Sequence, residues 1–283
     1  MTSATKQGAV ASVVAGPARQ EYGRGRGASA VTAAPPSPMR STTRLAAGPG
    51  FAIDDVQVRM HEPSWTSPET STAYRLVFVR RGLFRLRLNK QELLADPATV
   101  YAARTGDEQS IAHRVGANDL STSVALSPAL LADLTPDRRT APAGPLHTSG
   151  RVDLAHRRLL AGARGGADRF ELSDHVLRLA AALLDPEQCG PMAAGGSGSR
   201  HRMVEAAREA LVADPVSLGL ESLAQQVSVS PTYLSRVFRR ETGQTLTRFR
   251  NRLRVRMVLD RIEAGETSLS RLAAELGFAD HAH

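Results

Sequence analysis

The chain has 283 residues, enough for two domains with a core each, and a formal net charge of +8 that favours a polyanionic partner. Its single cysteine, Cys189, excludes an internal disulfide and any multi-cysteine zinc site. No apolar run approaches the ~20 residues of a membrane span and the N-terminus lacks the apolar core of a secretory signal, so a cytoplasmic protein without membrane contact is expected.

Residues 1–45 are rich in Ala, Gly, Ser, Pro and Arg with almost no large apolar side chains. Such a segment cannot bury enough surface to offset its ordering entropy, which predicts a disordered tail. From Phe51 to Leu126 the pattern has period two: Leu76, Phe78, Phe84, Leu86 and Leu88 fall on one face, Arg85 and Arg87 on the other. Gly82 and the Asn89-Lys90 pair stand where turns belong, and Thr99–Ala102 and Thr122–Leu126 read as further strands of a small barrel or sandwich. After Arg151 the spacing becomes helical, with Leu154, Leu159 and Leu160 and then Val176, Leu179, Ala180, Leu183 and Leu184. Residues 46–185 therefore form one domain. Residues 186–200 read as a flexible linker on the composition of "DPEQCGPMAAGGSGS", Asp185 to Ser199.

Residues 201–283 form an all-α domain. A helix from about Met203 to Ala213 is followed by one carrying Leu220, Leu223, Ala224 and Val227 on its apolar stripe. Ser230 supplies an N-cap and Pro231 the first helical position of a third helix that buries Leu234, Val237 and Phe238. Its opposite face presents Thr232, Ser235, Arg236 and Arg239, a face suited to the major groove. A long helix over about 246–264 should bury Leu246, Phe249, Leu253, Met257 and Ile262 and turn Arg248, Arg252 and Arg256 elsewhere. From Arg236 to Arg256 eight arginines face one acid, Glu241, a local net of +7. A solvated helix face explains many such arginines. Arg236, in the middle of the free face, is the candidate for a base edge, and Arg239 and Arg240 for phosphates.

These motifs, "SLAQQVSVSPTYLSRVFRRETG", "FRNRLRVRMVLDRI" and "LSRLAAELGFADHAH", resemble the DNA-binding domain of the AraC/XylS family of transcription regulators. The resemblance implies two helix-turn-helix units joined by a long helix and binding double-stranded DNA. It places Thr232, Ser235 and Arg236 at base-facing positions. Ser228 departs from the pattern at a turn where glycine is usual, while Gly277 keeps it. Only His281, Ala282 and His283 follow Asp280, which would cap the second recognition helix. The second unit is thus expected to be incomplete and frayed, leaving Leu269, Leu272, Leu276 and Phe278 short of packing partners. The strand-rich half resembles the cupin-like domain of some family members, which implies an effector site, with His113 as its single weak candidate. It also implies a homodimer through the helices of residues 152–184.

The expected class is α+β, a cupin-like barrel with trailing helices plus a tandem helix-turn-helix domain. The expected function is an effector-responsive DNA-binding regulator that is not an enzyme and carries no cofactor. A DNA-binding-defective regulator is the alternative, and a cupin metal enzyme with an appended DNA module a further one. His61, His113, His147, His156 and His175 lack the His-x-His spacing of metal cupins, and the one such pair, His281 and His283, would splay apart on a helix. Cys189 has no basic neighbour to activate it and reads as a bystander.

Overall fold

The computed structural model of the protein describes residues 39–59, 65–114, 116–135, 141–147, 149–184, 190–191 and 198–278. Its strands are β1 Met39–Gly48, β2 Phe51–Arg59, β3 Glu69–Thr70, β4 Tyr74–Arg81, β5 Phe84–Leu88, β6 Gln91–Ala95, β7 Thr99–Ala103, β8 Glu108–His113, β9 Asn118–Leu126, β10 Gly144–His147 and β11 Gly190–Pro191. One sheet runs β1-β2-β9-β4-β7-β10-β11 and a second β3-β8-β5-β6. Within the expected hairpin, β5 alternates buried and exposed residues, and Asn89 and Lys90 both adopt positive φ as a tight two-residue turn requires.

The larger sheet is buried on both faces, and its residues sort by parity. Ile53, Leu76, Phe78, Val100 and Val124 face α2 (Gly150–Gly165) and α3 (Arg169–Leu184), whose Val152, Leu159, Val176 and Leu179 complete one core. Their neighbours Val77, Val79, Tyr101 and Ala103 face Phe84, Leu86 and Leu93 of the smaller sheet in a second core. A short helix, α1 (Pro128–Leu134), is capped by Ser127. This is the expected cupin-like barrel with trailing helices, in an α+β protein.

Two boundaries need correction. β1 pairs with β2 from Met39 onward, so the ordered chain reaches into residues 39–45, assigned above to a disordered tail. The strand is polar because it lies at the sheet edge, where one partner and little burial suffice. In the expected linker, Gly190–Pro191 pairs with β10, and α4 (Ser199–Ala213) already begins at Ser199. Cys189, His61, His281 and His283 lie outside the described residues.

The C-terminal helices after α4 are α5 (Leu220–Gln226), α6 (Pro231–Thr242), α7 (Leu246–Glu263) and α8 (Leu269–Glu275). Ser230 caps α6, its hydroxyl accepting from the Tyr233 N–H, with Pro231 in the first turn and Gly243 left-handed at the far end. Phe238 and Phe249 meet edge to face at 5.5 Å in a core that includes Leu211, Leu223, Ala224, Leu234 and Leu253. α5 and α8 end in the same turn: the Val229 N–H bonds the Ala224 carbonyl at 3.0 Å, and the Phe278 N–H the Ala273 carbonyl at 2.9 Å. The left-handed residue in the first turn is Ser228 (φ 58°), in the second Gly277 (φ 72°).

α8 is formed, and Leu272 and Leu276, two of the four apolar residues expected to be short of packing partners, are buried. Ser268 caps it, Ala273 is buried too, and Arg254 reaches the Gly277 carbonyl at 2.9 Å. Leu269 alone of its large apolar residues stands half exposed. α7 also differs from expectation: Met257 and Ile262 are exposed, whereas Arg254 and Arg256 are buried.

Left-handed backbone costs a residue with a side chain roughly 1–2 kcal/mol, and glycine returns about 0.5–1 kcal/mol of that through its freer unfolded state. Ser228→Gly is therefore expected to raise unfolding free energy by about 0.5–1 kcal/mol in urea melts; a loss of stability would contradict a strained turn.

Candidate nucleic-acid interface

α6 is amphipathic in a specific sense: its buried residues are Leu234, Val237, Phe238 and Thr242, so the remaining face repeats at three and four. Thr232, Arg236, Arg239 and Arg240 are exposed and Ser235 is half-buried. Thr232, Ser235, Arg236 and Arg239 line one open cleft of about 640 Å³ beside the start of α7, and Arg240 lies outside it. Arg236 holds its guanidinium 5.6 Å above the Tyr233 ring, leaving the planar fork free to bond elsewhere. Thr247, Arg250 and Asn251 of α7 line the same cleft. Sequence reading missed them, although their i, i+3, i+4 spacing put them on one face.

Other arginines of the basic cluster are structural. Arg250 donates to the carbonyls of Pro215 and Val216 at 2.8 and 2.6 Å. Arg254 bonds the same two carbonyls and that of Gly277, tying the α4–α5 loop to the end of α8. Arg252 and Arg256, expected to point into solvent, turn instead to the barrel domain, where Asp153 of α2 accepts from both, at 3.3 and 2.8 Å. The other arm of Arg256 points at the Val79 carbonyl of β4, 3.4 Å away. Returning the contact, Arg157 of α2 pairs with Asp260 and Glu263 of α7, both at 2.7 Å.

A second junction lies at the β6–β7 turn. Asp96 is fully buried and pairs with Arg208 of α4 at 2.7 Å, while Arg208 also donates to the Leu94 carbonyl. Ala98, two residues on, belongs to the apolar core of the helix-turn-helix domain rather than to the barrel's. Arg85 of β5 faces Glu205 of α4, and Arg114 is paired with Glu209. Residues 36–283 form one compact unit, with the two domains in direct contact.

His156 of α2 sits inside the first junction, stacked on Phe78 at 4.1 Å, with no partner for its Nε2 among the described residues. Burial, reinforced by the charges of Arg256, Arg80, Arg157 and Arg164, holds its pKa well below the ordinary imidazole value. Burial likewise lowers the pKa of Arg256, against the opposing pull of Asp153.

His113 proves buried, not a surface residue. Its Nδ1 hydrogen-bonds the Asp119 carboxylate and its ring lies 4.8 Å from Phe84. It lines a cavity of about 580 Å³ in the barrel, together with Trp65, Arg75 and Tyr101.

A strand-built barrel is thus seated on a helical domain whose α6 keeps Thr232, Arg236 and Arg239 exposed beside an open cleft. Residues 223–283 match the family model of a helix-turn-helix domain. No curated protein matches the chain. Among solved structures, ToxT from Vibrio cholerae O395 is similar at 9% identity and TM-score 0.38, over 83% of this chain and 90% of that one. EutQ from Clostridium difficile is similar at 13% identity and TM-score 0.28, over 32% of this chain and 71% of its own. A cupin superfamily protein from Desulfitobacterium hafniense DCB-2 is similar at 14% identity and TM-score 0.27, over 34% and 84%. No helix among the described residues is long and apolar enough to cross a membrane.

Because the folded state disfavours a proton on His156, the unfolded chain binds more protons between the two pKa values. Stability is then fully present above the unfolded value near 6.5 and falls as pH drops below it, with a limiting slope of about 1.4 kcal/mol per pH unit for this proton. Urea melts between neutral pH and pH ~5 should show that loss, and His156→Leu should flatten it. An identical pH profile in the variant would show that His156 does not carry the dependence.

Proposed function

We propose that the protein is an effector-responsive transcription regulator that binds double-stranded DNA as a homodimer, acts in the cytoplasm where that DNA lies, and works by binding, not catalysis. The observation that carries the reading is the free face of α6. Thr232, Ser235 and Arg236 stand together on the one helix that a matching helix-turn-helix domain lays in the major groove. In this reading those three face base edges, while Arg239 and Arg240 at the end of the helix take phosphates. Supporting effector control, the barrel holds a cavity and is joined to α4 and α7 by buried ion pairs. A change in the barrel therefore alters how the DNA-reading helices are presented. Supporting a dimer, Leu154 of α2 and Phe170 and Leu177 of α3 leave apolar surface exposed beyond the barrel core.

The test is fluorescence anisotropy on DNA from upstream of the gene and on a scrambled duplex, over a salt series. A clear preference for the first duplex is expected. Arg236→Ala should cost about 1–3 kcal/mol on it and relax one base position. Arg239→Ala should weaken both duplexes alike and flatten the salt dependence. Weak, equal and steeply salt-dependent binding to both by the wild type would instead establish a regulator defective in DNA reading.

A further inference from the structure

The barrel cavity is open to a ligand and lies on the inner face of the larger sheet. Odd-numbered residues of β4 and β7 project into it, so Arg75, Val77 and Tyr101 share one face. Val77 stands directly opposite Tyr101, which makes Arg75 the diagonal neighbour of the phenol. A volume of about 580 Å³ is in the range of small-molecule sites.

The charges of this cavity do not cancel. Asp54 is paired with Arg44, and Glu69 with Arg40 at 3.0 Å, so the two acids lining it are already answered. Asp119 beneath the wall bonds His113. Arg75 has no carboxylate within reach among the described residues, and its one hydrogen bond goes to the Ser123 hydroxyl at 3.3 Å. A guanidinium drawn from water without an anion is costly, and its fork fits a carboxylate through two parallel bonds. Beside it the Tyr101 hydroxyl has no partner among the described residues, and burial raises its pKa, so it stays a donor. Among the hydroxyl-bearing residues of the wall, Trp65, Phe84 and Val77 supply apolar surface, with Arg87 stacked over the Trp65 ring at 4.2 Å. Only 4% of the chain is aromatic, yet three aromatic rings converge here.

We infer that the cavity takes a small, planar organic carboxylate, its anionic head on Arg75 and the Tyr101 hydroxyl, its apolar body against Trp65 and Phe84. The inference rests on the effector-responsive reading above and names the chemical class of that effector.

Trp65 is the only tryptophan of the chain and lines the site, so its fluorescence reports occupancy directly. The full chain is titrated with phenylacetate, its neutral isostere phenylacetamide, and glucose as an uncharged polyol. A saturable response to phenylacetate is expected, with the amide weaker by about tenfold or more. Arg75→Gln should bring acid and amide to equal affinity, and Tyr101→Phe should weaken the acid several-fold. If Arg75→Gln does not fold, the acid-to-amide ratio in the wild type and the Tyr101→Phe titration decide. Equal binding of acid and amide by the wild type overturns the inference. So does glucose binding in place of the acid, or no saturable response to the acid. DNA anisotropy with and without saturating phenylacetate separates the two readings. Selective acid binding that leaves DNA affinity unchanged counts against effector control and leaves the ligand class standing.

Discussion

The Asp96–Arg208 pair is the constraint on which the arrangement of the molecule turns. A carboxylate with no exposed surface and a guanidinium almost as deeply buried are each expensive to remove from water, and neither is tolerated without the other. A pair of this kind adds little net stability compared with an apolar contact of equal volume. What it adds is selectivity, since a shifted docking of α4 on the β6–β7 turn would leave two bare charges in a dry interface. The junction between α2 and α7 follows the same rule with more members. Asp153 is shared by Arg252 and Arg256, and Arg157 crosses in the opposite direction to Asp260 and Glu263. Two separated contacts, one on α4 and one on α7, fix an orientation as a single contact would not.

This division of labour explains the excess of arginine. Arg236, Arg239 and Arg240 project from α6 into solvent. Arg250 and Arg254 cap carbonyls that no helix or strand satisfies, and Arg252 and Arg256 answer an acid of the barrel. One residue type serves these purposes because its fork meets carbonyls and carboxylates with the same donor geometry. Lysine, a point charge on a mobile stem, would serve the first purpose and do poorly at the other two.

How much of this was legible in the sequence depends on how local each cause is. The Ser230-Pro231 cap, the Asn89-Lys90 turn and the parity of β5 are decided within a few residues, and the structure has them where the sequence put them. Leu76 and Phe78, assigned to one face with Phe84, Leu86 and Leu88, instead face α2 and α3, because β4 is buried on both sides and Val77 and Val79 meet the smaller sheet. β1 was missed because "MRSTTRLAAG" carries no apolar alternation; its strand conformation comes from pairing with β2. Arg256 and Met257 were exchanged between solvent and interior because the face of α7 was assigned as though the domain stood alone. In sequence Asp153 is an ordinary acid in the first turn of a helix, and nothing near it announces two arginines a hundred residues away. The burial of His113 at the end of β8 depends on β9, which brings Asp119 to it.

The position of Ala98 bears on how such a protein can be inherited and recombined. By chain order the helix-turn-helix domain begins near residue 198, yet its apolar core includes Ala98, one hundred positions earlier. A gene fusion that moved the helices alone would carry Arg208 away from its acid and open the floor of that core. One that moved the barrel alone would strand Asp96. A chimera that transferred the β6–β7 turn together with the helices would keep both the ion pair and Ala98 in place.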